Sequence, residues 1–261
     1  MSKRLTDDFV LGRVDWILRE TRQDRTPLPV DLGRVCDQLG VKVEWRKMVP
    51  EAAVVVRPDG LLICLQDNFR EDRRTPRRQR FTWAHEICHS LFFQLDKTPP
   101  CPFPGTPKGA ILEKMCQRGA GRILLPQVLL EDLFGVSNQV ESVGQLLEIA
   151  EQFEISPEVV LRRLSEQPEI FASHQGFLLL SPGVGSRFPQ LIRFYGGGAW
   201  VTKEIPVPQV GQPLEDWLTS VNRTLKPVGN NRWITRSAEV EISVNRDVRD
   251  VNFLQLSAHL V

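Results

Sequence analysis

Five consecutive residues, His85-Glu86-Ile87-Cys88-His89, carry two imidazoles, one carboxylate and one thiol within little more than one helical turn. If this stretch is α-helical, residues four apart share a face, so His85 and His89 can offer two nitrogen donors to a single cation. Glu86 lies about 100° further round, placed to take a proton from water beside that cation rather than to ligate it. Cys88 falls about 60° from His85 on the side away from His89. It reads as a buried, inert thiol.

This is the HExxH arrangement of zinc peptidases. A catalytic zinc takes three protein ligands and keeps a fourth position open for water, so a third donor must come from elsewhere. Glu113 is the candidate, with Cys116, one turn along, as the substitute. Around them stand Gly119, Ala120 and Gly121, small residues that let one helix approach another closely. The competing reading makes His85 and His89 two satisfied helical histidines and Glu86 a surface carboxylate. His174 and His259 read as ordinary surface or core histidines.

The elements that must position these donors follow from periodicity. Phe9, Val10, Leu11, Val14, Ile17 and Leu18 recur at helical spacing and predict an N-terminal helix of about four turns. A second helix over 32–39 ends at Gly40, suited to the left-handed terminal position. Residues 41–45 and 53–56 are β-rich, and Pro58-Asp59-Gly60 turns the second run into a third, 61–65. The motif helix should start near Thr75-Pro76 and run to about Phe93, burying Phe81, Trp83, Ala84, Ile87, Leu91 and Phe92. The arginines before and within it, Arg73, Arg74, Arg77, Arg78 and Arg80, read as a solvated face, because no aromatic residues interleave with them as in nucleic-acid binders.

Prolines 99, 100, 102, 104 and 107 make 96–107 a loop, and Pro126 stops the next helix, about Ala110 to Leu125. Helices over 127–134, 143–153 and 157–164 follow, the last two reading as helix, turn, helix. Beyond Pro168 the texture is β-rich, with runs at 177–180, 191–195, 240–244 and 253–260, one helix near 214–221, and a turn at Gly196-Gly197-Gly198. The expected organisation is therefore α+β in three parts: 1–126 around the metal motif, 127–167 helical, and 168–261 as a separate α+β domain.

Composition narrows the function classes. With 41% hydrophobic and 25% charged residues among 261, the chain can build a sizeable core. Thirty-three basic against 32 acidic residues give no global attraction to nucleic acid or to an anionic membrane. Between Glu141 and Glu166, six glutamates oppose two arginines, a local charge of −4 that disfavours direct DNA readout by those helices. No apolar run approaches the roughly 18 residues of a spanning helix. Five unpaired-looking cysteines fit reduced thiols, so a cytosolic protein is expected.

HEICH followed by Glu113-Lys-Met-Cys-Gln-Arg-Gly-Ala-Gly-Arg-Ile-Leu-Leu-Pro126 resembles the paired signature of the ImmA/IrrE family of zinc-peptidase-like proteins. Leu146 to Leu164 resembles the helical element that follows in that family, and the β-rich tail matches the longer, IrrE-type members. The resemblance implies a gluzincin-like N-terminal domain, a helix-turn-helix-like middle and a GAF-like sensor domain with an unidentified small-molecule ligand. It implies metal ligation by His85, His89 and Glu113, with Glu86 as general base and Zn2+ as cofactor, though the same donors admit Mn2+. The implied activity is site-specific cleavage of a helix-turn-helix repressor of the DdrO kind, inducing a radiation, desiccation and DNA-damage response. Ser-Leu-Phe-Phe follows His89, and Gln117 stands where many relatives carry Asn. Two other classes compete: a DNA-binding regulator working through 143–165, and a ligand sensor whose metal site does no chemistry.

Overall fold

In the computed structural model the described residues are 5–26, 29–67, 75–134 and 143–167, and beyond these the strands given below with residues 213, 216–217 and 219–220. The chain divides into two compact units, Met1–Leu133 with Glu148–Val160, and Phe134–Leu147 with Leu161–Val261.

The first unit opens with α1, Asp7–Glu20, which buries Val10, Val14, Ile17 and Leu18 at the predicted spacing and carries Asp7 and Asp8 at the positive end of its dipole. Helix α2, Leu32–Leu39, is capped by Asp31, whose side chain accepts from the Arg34 N–H, and ends at Gly40 with φ of 66°. There the absent Cβ is what makes the conformation inexpensive. Strands β1 (Lys42–Arg46), β2 (Ala52–Arg57) and β3 (Gly60–Gln66) form a sheet of order β1-β3-β2. The hairpin β2–β3 is antiparallel, as its turn predicts, while β1 pairs β3 in parallel. Central β3 buries Leu61 through Leu65 without a break, which explains a run too apolar for a strand with one wet face.

Helix α3, Thr75–Ser90, carries the HEICH residues. It ends at Ser90 rather than near Phe93, because Phe93 and Gln94 form a short strand, β4, paired with β5, Cys101–Pro102. The arginine run departs from expectation at Arg80, which is half-buried, donates to the Val30 carbonyl at 2.9 Å and pairs with Glu154 at 3.7 Å. Arg78 pairs with Glu51 on the surface and stays solvated, as expected. Arg73 and Arg74 lie outside the described residues.

Helix α4, Ala110–Leu124, crosses α3 at close range. A Cβ built on Gly119 would stand 2.7 Å from Cys88 Sγ and 3.3 Å from Val10 Cγ2, so α1, α3 and α4 meet at a point with no room for a methyl. Arg122 adds a two-pronged bond to Asp15, Nε and NH2 each 2.7 Å from a carboxylate oxygen, and Arg118 pairs with Asp7. Helices α5 (Gln127–Phe134), α6 (Val143–Gln152) and α7 (Pro157–Ser165) follow. Glu154, at φ of 52°, closes α6 with bonds from its own N–H to Glu151 and from Ile155 to Ala150, and Ser156 caps α7 through Val159.

The second unit contains a six-stranded antiparallel sheet of β6 (Gln175–Ser181), β7 (Gln190–Gly196), β8 (Lys226–Gly229), β9 (Arg232–Ile234), β10 (Ala238–Arg246) and β11 (Asn252–Leu260). Its order is β7-β6-β11-β10-β9-β8. The helix expected near 214–221 and the glycine turn at 196–198 fall partly outside the described residues, and His174 lies outside them; Trp217 is buried. Among the described residues no helix is long and apolar enough to cross a membrane.

The junction at Gly119 generates a test. Gly119→Ala must push Cys88 or α4 aside and should cost about 1–3 kcal/mol, a fall of several degrees in melting temperature. Cys88→Ala in the same chain removes the offending sulfur and should restore most of the loss. A double variant no more stable than Gly119→Ala alone, measured by thermal denaturation, would contradict this account of the contact.

Candidate metal centre

Three donors from two helices converge. His85 and His89 project from α3, and Glu113 stands in the first turn of α4, where the dipole favours a carboxylate. Their donor atoms all lie within 4.8 Å of one another. His85 Nε2 is 3.1 Å from His89 Nε2 and 3.1 Å from Glu113 Oε2, while His89 Nε2 is 3.5 Å from Glu113 Oε1. A neutral ring nitrogen carries either a hydrogen or a lone pair. His85 Nε2 therefore cannot serve both neighbours by hydrogen bonding.

A single cation could be held by all three. Zinc bonds to nitrogen and carboxylate oxygen are about 2.0–2.2 Å, which puts the edge of a tetrahedron at about 3.3–3.5 Å. The observed separations bracket that edge. Burial, opposed by the Glu113 carboxylate, holds His85 below its ordinary pKa, and burial together with the neighbouring His85 does the same for His89. Both rings are thus kept neutral, the form in which imidazole ligates a metal. Glu113 is half-exposed, leaving one side of the triad open.

Glu86 sits beside this group without joining it. Burial, then the negative charge of Glu113, push its carboxyl up to about 7 from the ordinary 4.5, against a hydrogen bond from the Val54 backbone. Val54 lies on β2, an edge strand, so the sheet reaches the site through its backbone. Nothing in the sequence marks that bond, because its partners are 32 positions apart and one of them is a main-chain group. Cys116, the substitute third donor, is fully buried with its thiol pushed well up by burial and stands outside the converging group. Cys88 is buried as expected, and Gly119 packs against it.

Two outcomes follow. The metal-free chain should lose stability as pH rises from about 4.5 to 7, because unfolding releases Glu86 to its lower pKa and so becomes easier as the proton is lost. Glu86→Gln, which has nothing to ionise, should then melt several degrees higher than the wild type at pH 8 in chelator; an equal or lower melting point would refute the burial argument. Calorimetry with zinc should give one site per chain, lost in His85→Ala/His89→Ala and weakened at least tenfold in Glu113→Gln.

Comparison with known proteins bears on the same residues. The model of the IrrE N-terminal-like domain, family M78 of the peptidases, matches residues 36–165. The radiation response metalloprotease IrrE of Deinococcus deserti is 33% identical over 37% of this chain and 36% of its own length, so the alignment reaches little more than a third of that relative. A Mycobacterium tuberculosis transcriptional regulator superposes with a TM-score of 0.47 at 12% identity, over 96% of this chain and 78% of its own, a likeness too loose to bear on function. Across residues 36–165, which hold both HEICH and the Glu113 helix, the chain belongs to the IrrE N-terminal-like family of M78 peptidases.

Proposed function

We propose that the protein is a metal-dependent endopeptidase that cleaves a helix-turn-helix repressor of the DdrO kind and so induces a radiation, desiccation and DNA-damage response. The observation that carries the chemical part is the convergence of His85, His89 and Glu113 with the buried Glu86 carboxyl beside them. Zinc suits two imidazoles and a carboxylate, and manganese is admitted by the same set. An ion held there supplies Lewis acidity, polarising the scissile carbonyl and making water more acidic.

The chain's own residues supply the rest. Glu86, partly desolvated, takes the proton of the attacking water and returns it to the leaving amine, a task that favours a carboxyl with a pKa near the working pH. His85 and His89, held neutral, keep their lone pairs for the ion. The edge of β2 offers backbone groups beside Glu86, and Val55 and Val56 on that strand are partly exposed, so an extended segment of substrate can pair with it. Substrate identity rests on the family resemblance alone; the aligned relative is described as a radiation response metalloprotease, which supports the kind of response and names no substrate.

The test incubates the zinc-loaded full chain with a purified DdrO-like repressor and follows fragments by mass spectrometry. A single main cut is expected, and Glu86→Gln should hold zinc while slowing cleavage about a hundredfold or more. Cleavage undiminished in that variant would sink the general-base role, and an intact repressor beside active wild type on other peptides would sink the substrate.

A further inference from the structure

A cavity of about 330 Å³ opens directly beside His89. Its walls are Phe92 in the turn after α3, Phe93 on β4, Phe103 on the proline-rich loop, and Leu112 in the first turn of α4, with the exposed Lys108 at the rim. Leu112 and His89 tie the cavity to the converging donors, since Leu112 precedes Glu113 in the chain. Among the described residues no carboxylate lines it. The Thr106 hydroxyl, which does, is already donated to the Phe103 carbonyl at 2.7 Å. A substrate side chain entering the pocket therefore meets hydrocarbon and aromatic carbon, with nothing inside to pair a cation.

The walls are also held in place. Phe9 packs against Phe92 at 5.7 Å and edge-on to Phe103 at 5.5 Å, and the Arg13 guanidinium lies over both Phe9 and Phe103. The Phe103 N–H bonds to the Phe92 carbonyl at 2.8 Å, and the Leu5 N–H bonds to the Gly105 carbonyl at 3.0 Å, so the loop is stitched to the turn that follows α3 and to the N-terminal segment. An apolar hollow with fixed walls gains most from a side chain that fills it, because no reorganisation opposes entry.

We infer that this pocket receives a large apolar side chain, of the size of leucine, methionine or phenylalanine, from one of the two residues flanking the scissile bond. The inference rests on the peptidase reading and names its specificity: Phe92, Phe93, Phe103 and Leu112 choose the bond that is cut. Replacing the favoured side chain by alanine in the substrate should lower affinity about tenfold or more, the usual yield of burying several methylene groups.

The experiment reads binding, so it does not depend on turnover. The full chain is loaded with zinc, its stoichiometry measured, and titrated calorimetrically with a peptidyl hydroxamate bearing an isobutyl side chain next to the chelating group. The same compound with methyl or carboxymethyl there is the comparison. Isobutyl should bind at least tenfold tighter than either. Leu112→Trp fills the cavity and should erase that preference with zinc retained; Leu112→Ala, milder in the fold, should move the preference toward a bulkier naphthylmethyl group. Equal affinities, tighter binding of the carboxymethyl compound, or an unchanged preference in both variants would overturn the inference. A zinc-loaded chain that prefers isobutyl yet cuts no peptide would sink the peptidase reading and leave the pocket standing; one that cuts without apolar preference would do the reverse.

Discussion

The site depends on how closely α3 and α4 approach. HEICH and Glu113 are on separate helices, and only a short interhelical distance lets a carboxylate reach two imidazoles on the neighbouring helix. Gly119 supplies that distance, with Cys88 Sγ occupying the space its side chain would need. The contact is six residues from Glu113, about 9 Å along the helix axis, so a small displacement there is carried to the donor. Helix α1 fixes the same joint from the outside, through Val10 at Gly119 and through the Asp15–Arg122 fork. One glycine thus does for the geometry of the donors what no ligand residue could do alone.

The second constraint is electrostatic, and it sets stability against chemistry. Glu86 is nearly buried, beside a second carboxylate and two rings that burial keeps neutral. A fold selected for stability alone would place an amide or an apolar residue there. Among the described residues what the arrangement lacks is positive charge, and a divalent ion among His85, His89 and Glu113 would relieve the repulsion between Glu86 and Glu113 as well as use their donors. Cation binding and folding would therefore be coupled at this centre.

Much of this was legible in the sequence because it is local. The four-residue interval between the histidines, the glycine at the end of α2, the turn at Pro58-Asp59-Gly60 and the proline after α4 each act through near neighbours, and each element lies where its pattern predicts. Glu113 was legible at one remove, since small residues downstream announced a close helix pair. What could not be read is nonlocal. Parallel pairing of β1 with β3 leaves no mark on either strand; Arg80 belongs to a charge run until Val30 and Glu154 are brought to it. The end of α3 at Ser90 is set by β4 finding β5 across the proline loop, against an apolar pattern that would let the helix continue.

The proline loop and the β2 edge together bear on how such a centre could be selective. An edge strand reads an extended backbone without regard to sequence, whereas a walled apolar hollow reads one side chain and ignores the rest. Neither discriminates strongly by itself, for a single apolar pocket separates related side chains by only about 10–200-fold. A substrate of the proposed kind would have to satisfy both, and a compact helical protein would satisfy the first only where a segment can leave its helix and extend. Large apolar residues in helical repressors are core residues, exposed when such a segment opens. Selectivity would then lie as much in the ease of local unfolding of the partner as in the pocket, and a partner that opens only in one functional state would be cut only in that state.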